Sequence, residues 1–116
     1  MLRIIGVFIL LGFLSAGNAH GSNLLGFTSA NCAEIVEMMD EPEGRRIARW
    51  TAGSFFSGFN MQRMLFDQTY HDLSALAKDS AVDGAILTSC SRMLGAPYAA
   101  ALLNILEDLP LKRWEE

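Results

Sequence analysis

Hydrophobic positions follow two regimes along this chain. Residues 4–14 form an unbroken apolar run behind Arg3, whereas from residue 31 onward apolar and polar side chains alternate with helical periodicity. The apolar run is well short of the roughly 20 residues that span a bilayer. Small and polar residues follow it, ending Ala16-Gly17-Asn18-Ala19. This is the pattern of a secretory signal peptide over residues 1–19, with the small-x-small rule met by cleavage after Ala19 or after Gly21. Residues 20–116 remain as a single helical domain in which 20–27 read as a loose arm.

The spacing predicts four helices. Asn31 stands three residues before Glu34, the reciprocal pair of a helix start, and Cys32, Ile35, Val36 and Met39 then mark one inward face. Pro42 and Gly44 are expected to stop this first helix. A second and longest helix runs from about 45 to 66. Ile47, Trp50, Thr51, Ser54, Gly58, Met61 and Leu65 lie along one stripe, with Ala48, Ala52, Phe55, Phe59 and Phe66 beside it. Such a wide apolar face predicts the central member of a bundle, with Trp50 as its largest buried side chain. Gly53 and Gly58 each weaken that helix by about 1 kcal/mol, so a neighbour is expected to pack close to them. Phe56 falls among Arg49, Asn60 and Arg63, either as a partner contact or as a residue covered by the following loop.

Residues 67–79 read as a long connection in which only Leu73, Leu76 and Ala77 hint at a short helix. Ser80 and Asp83 repeat the capping spacing, and Val82, Ile86, Cys90 and Met93 define a third inward stripe ended by Gly95. Pro97 can open a last helix carrying Tyr98, Ala101, Leu102, Ile105, Leu106 and Leu109 before Pro110. No strand-like alternation is visible in this part. The fold class is all-α, a small orthogonal bundle of about four helices with one disulfide.

Composition narrows the function classes. With 51% hydrophobic and 19% charged residues in 116, the chain is neither disordered nor of low complexity. A domain this small leaves so much surface exposed that a staple is expected. In an exported protein the two cysteines supply one, so Cys32 and Cys90, both on inward faces, are read as a disulfide. A bridge across that stretch of chain contributes about 4 kcal/mol on the loop-entropy model. Lys and Arg number 9 against 13 Asp and Glu. Loss of Arg3 with the signal peptide leaves 8 against 13, or −5. An acidic chain does not displace counterions from a phosphate backbone, so nucleic acid is discounted as a partner.

The residues offer no catalytic machinery. The mature chain holds only His20 and His71, neither in a recognisable motif, and no nucleophile elbow, metalloprotease helix, phosphate loop or carboxylate pair is present. No catalytic, cofactor-binding or metal-ligating residue is therefore assigned. His20, once N-terminal, could chelate copper with His71 or a methionine. The more ordinary reading of Met38, Met39, Met61, Met64 and Met93 is adaptable core filler. Glu34, Glu37, Asp40 and Glu41 read as the solvated side of the first helix.

One further pattern emerges from the assembled features. A signal peptide, a short Cys-containing helix, a long helix carrying Arg49-Trp50-Thr51-Ala52-Gly53-Ser54-Phe55-Phe56-Ser57-Gly58-Phe59-Asn60, a second Cys and a Pro-initiated last helix resemble the small periplasmic HdeA/HdeB-type proteins over residues 29–109. The resemblance implies a periplasmic chaperone, paired as a homodimer at neutral pH, that opens in acid to shield unfolding client proteins. Below the ordinary carboxylate range near pH 4 the 13 acidic groups neutralise, leaving 8 Lys and Arg with 2 His for about +10. Opening is expected to bare Phe55, Phe59 and Phe66, which with Phe56 form the candidate client-binding set. The same features also resemble Rap/Tai-type immunity proteins, which implies binding to a secreted cell-wall amidase.

Overall fold

The computed structural model describes residues 26–114. The expected signal peptide with its cleavage site, His20 and the rest of the expected arm up to residue 25 lie outside the described residues. Four α-helices form the body: α1 Cys32–Met38, α2 Pro42–Asp67, α3 Asp79–Ser91 and α4 Tyr98–Glu107. A 3-10 turn at Gly26–Ser29 precedes them, so the end of the expected arm is ordered against α2 and α4. Between α2 and α3 lie strand β1 (Thr69–His71) and a second 3-10 turn (Ser74–Leu76), and β2 (Leu111–Arg113) follows α4.

The start of α1 is built as the sequence predicts. The Asn31 side chain accepts from the Glu34 amide while the Glu34 carboxylate accepts from the Asn31 amide. The Cys32 and Ala33 amides, which no intrahelical carbonyl can reach, donate to Ala96 and Leu94 at 2.8 and 2.9 Å. These bonds set α1 against the α3–α4 turn, where Cys32 and Cys90 form the disulfide with alpha carbons 4.9 Å apart.

Pro42 does not end α1 but opens α2 at its first position, where a missing amide costs nothing. Gly44 lies inside α2 rather than in a turn. A methyl group there would fall on the Met38 carbonyl, so this glycine permits the close α1–α2 approach. Arg45 secures the same corner by donating to the Met39 carbonyl at 3.0 Å. At the start of α3 the capping pair expected from Ser80 and Asp83 does not form. Lys78 is the cap residue, and Asp83 is held by Arg49 of α2 instead.

The rotation of α2 is the main departure from expectation. Its buried row is Gly44, Ala48, Ala52 and Phe56, while Trp50 is 78% exposed. Small residues occupy that row because α4 comes close: Tyr98, fully buried, donates its hydroxyl to the Ala48 carbonyl at 2.8 Å. The polar residues that marked this side as solvated are connectors. Arg49 Nε meets Asp83 Oδ1 at 3.0 Å, the Asn60 amide bonds both backbone groups of His71, and Arg63 Nε donates to Thr69 Oγ1. Phe56 therefore belongs to the core, and α4, with Tyr98, Ala101, Leu102, Ile105 and Leu106, supplies more of that core than α2 does.

The small sheet is the second departure. Antiparallel pairing sets Thr69 against Arg113, Tyr70 against Lys112 and His71 against Leu111. Gln68 turns the chain out of α2 in the left-handed conformation, and its carbonyl accepts from the Trp114 amide at 2.6 Å. Three-residue strands are too short to show alternation.

Two substitutions separate this packing from the expected one. Phe56→Ala should cost about 3–5 kcal/mol in denaturant unfolding, whereas Trp50→Ala should fall within about 0.5 kcal/mol of the parent. Gly44→Ala should destabilise by about 1–3 kcal/mol despite the higher helix propensity of alanine, because the added methyl overpacks the α1–α2 corner. Equilibrium unfolding by circular dichroism reads all three.

Candidate protein-binding face

With α2 fixed by its small inner row, the stripe expected in the core lies on the surface. Trp50, Met61, Leu65 and Phe66 are 78%, 60%, 78% and 79% exposed, far beyond what scattered surface residues require. Between the two ends lie Gly53, Ser54, Ser57 and Gly58, all exposed, and a side chain added at either glycine would meet nothing within 4 Å. The neighbour expected at these glycines is absent among the described residues. No charged residue interrupts the stripe from Ile47 to Leu65, because Arg49 and Arg63 are turned inward to their partners.

One end of this face is concave. Phe27 of the N-terminal 3-10 turn stands beside α2 and closes a groove of about 620 Å³ against Ile47, Trp50, Thr51, Ser54 and Phe55, with Arg46 at its rim. At the other end Met61 and Leu65 stand exposed. A smaller cavity of about 330 Å³ lies on the far side of Trp50, between Arg49, Asp79 and Val82. Apolar bulk, aromatic residues and a dearth of charge are the composition of an interface core.

The four candidate phenylalanines do not share one surface. Phe55 and Phe59 stack at 6.2 Å between ring centres and are half-buried, Phe56 meets Phe55 edge-on from inside the core, and only Phe66 is exposed. Trp50, Met61 and Leu65, assigned to the interior from their spacing, are the larger exposed group. Their signal in the sequence was the company of glycine and serine, since Gly53, Ser54, Ser57 and Gly58 leave such a stripe no bulk with which to fill a core.

Polar chemistry gathers around the C-terminal end of α2 and the small sheet that follows it. Asp72 accepts from the Ser74 amide at 3.0 Å and pairs with Lys112 Nζ at 2.9 Å, joining the loop after β1 to β2. These contacts, the Ser74 amide foremost, hold its carboxyl down at about 2. Asp67 is also lowered, chiefly by the Thr69 hydroxyl. His71 is buried, its ring 6.4 Å from Phe59 and its Nδ1 3.3 Å from the Leu109 carbonyl. Among the described residues, no group of three or more His, Cys, Asp or Glu side chains could hold a metal, and no helix is long and apolar enough to cross a membrane.

No family model matches the sequence, and no curated protein or solved structure is significantly similar to it.

The lowered Asp72 carboxyl sets a direction for acid behaviour. A group whose folded pKa is depressed stabilises the fold above its unfolded value, near 3.9, and loses that contribution as pH falls through the folded value. The β1–β2 clasp should therefore hold from pH 4 down to about 2. NMR titration of the Asp72 carboxyl should give a midpoint near 2, moving upward in Lys112→Ala.

Proposed function

We propose that this protein is a non-catalytic, exported protein-binding protein that shields unfolding periplasmic clients in acid, in the manner of the HdeA/HdeB-type proteins it resembles. The observation that carries the reading is the uncharged apolar face of α2, with Trp50, Met61 and Leu65 presented to solvent. Non-native chains expose apolar segments without fixed shape, and a surface rich in Met and aromatic side chains adapts to many of them. The disulfide fits an oxidising compartment and keeps α1 joined to α3 while other contacts loosen.

The seam between α2 and α3 is closed by ion pairs. Arg49 is held there by Asp83 at 3.0 Å and Asp79 at 3.4 Å. As the chain becomes strongly cationic in acid, self-repulsion acts against the packed state. The Asp72 clasp resists down to about pH 2. Opening of the α2–α3 seam uncovers Phe55 and Phe56 next to a face already exposed.

A second reading has its own support. The α2 face is presented in the folded chain without any opening, as a dedicated inhibitor requires, which suits an immunity protein against a secreted cell-wall amidase.

The deciding experiment mixes the mature protein with an acid-labile periplasmic enzyme at pH 2–3 and follows light scattering. Aggregation should be suppressed at several-fold molar excess, and Met61→Glu/Leu65→Glu should weaken the suppression while leaving the helical circular dichroism at neutral pH unchanged. Unchanged aggregation with the parent protein, its disulfide intact, would reject the chaperone reading. Amidase inhibition would then be the assay to run.

A further inference from the structure

A cavity of about 280 Å³ opens between α3 and α4, and no residue of α2 lines it. Its space comes from missing bulk on α3, where Gly84 and Ala85 stand in its wall and a side chain added at Gly84 would meet nothing within 4 Å. Leu76, Ile105 and Leu109 give it an apolar lining. The volume falls just under the ~300 Å³ at which pockets begin to hold drug-sized ligands, so its occupant is small.

Two opposite charges line this cavity without meeting. Arg92 caps the C-terminal end of α3 and Asp108 that of α4. Among the described residues neither side chain has an ion-pair or hydrogen-bond partner. Asp108 also stands against the field of its own helix, since a carboxylate is disfavoured at the negative end of the dipole and the last turn of α4 holds no basic residue. Nothing in the fold repays that placement, whereas an ammonium group bound there would. A third polar group is held in position: Asn104 Nδ2 donates to Ser89 Oγ at 3.1 Å, and the buried Ser89 hydroxyl donates to the Ala101 carbonyl at 3.1 Å. This chain of bonds leaves Asn104 Oδ1, in the wall of the cavity, free to accept a hydrogen bond.

We propose that this cavity binds a free α-amino acid with an apolar side chain. Arg92 receives the carboxylate, for which a guanidinium offers two parallel donors. Asp108 and Asn104 Oδ1 receive the ammonium, and the side chain lies against Leu76, Ile105 and Leu109. Charge selects the zwitterion over simpler ions: an anion without an ammonium would still face Asp108, and a cation without a carboxylate would still face Arg92. The small volume selects a single amino acid over a longer peptide. Because Arg92 and Asp108 are exposed, water screens both contacts, which places the affinity in the millimolar range. The site shares no residue with the outer face of α2, so it stands or falls independently of client binding.

Three probes separate the two charge contacts: leucine, leucine amide, which lacks the carboxylate, and N-acetyl-leucine, which lacks the ammonium. NMR titration of the mature protein at neutral pH should give saturable shifts at the Ala85, Thr88 and Asn104 amides with leucine, and about fivefold weaker binding of each of the other two. Arg92→Gln should bring leucine down to the affinity of leucine amide while leaving leucine amide itself unchanged. Asp108→Asn should do the same with respect to N-acetyl-leucine. Both residues are exposed and unpartnered, so circular dichroism should not move in either variant. Absence of a saturable shift with leucine would overturn the proposal. Equal affinity for all three probes would reduce the site to apolar contact and overturn it as well, as would either variant binding leucine as the parent does.

Discussion

The hydrogen bond from Tyr98 to the Ala48 carbonyl, made in a fully buried setting, fixes how the longest helix is turned. A phenol without water needs an acceptor. Burial, with the Asp83 charge in second place, pushes its pKa well above the usual range and keeps the hydroxyl a donor. For that oxygen to reach a backbone carbonyl of α2, the helix must present a side with almost no bulk. Gly44, Ala48 and Ala52 are that side. Once it faces α4, Trp50, Met61 and Leu65 have nowhere to go but solvent.

Much of the fold was legible in the residues. The capping pair at Asn31 and Glu34, the inward Cys32 and Cys90, and the Pro97 start of α4 are local signals, each carried by a few neighbouring side chains with one favourable geometry. The rotation of α2 was not legible because periodicity ranks positions by bulk, while close packing selects for its absence. Arg49, Asn60 and Arg63 deepened the error: polar side chains normally mark the wet side of a helix, yet each of these finds a partner on another element. Such partners, separated by up to 34 positions, are invisible to a window of one or two helical turns. The β1–β2 pair was hidden for a related reason. Its strands are held by Asn60, by the Asp72–Lys112 pair and by the left-handed turn at Gln68 rather than by any alternation of their own.

The candidate site was legible in its residues but not in its placement. Its stripe from Ile47 to Leu65 was recognisable as apolar, and its glycines as a place of close approach. Within the described residues, nothing lies within 4 Å of a Cβ added at Gly53 or Gly58, so the close approach expected there is not made by the fold itself.

This arrangement separates the packing row of α2 from an apolar outer row on the same helix. The inner row and its polar connectors hold α2 in place, with the disulfide holding α1 to α3, so the outer row can remain apolar without any role in the core. In most helices an apolar stripe is consumed by the fold, and changing it unfolds the protein. Here the two faces differ, with small residues packed inward and large ones turned out to solvent. A surface freed in this way can accept side chains chosen for what they meet outside the domain. The fold does not demand the absence of charge along its length, since neither the Tyr98 hydrogen bond nor the Arg49–Asp83 pair would notice a charge placed at Met61 or Leu65.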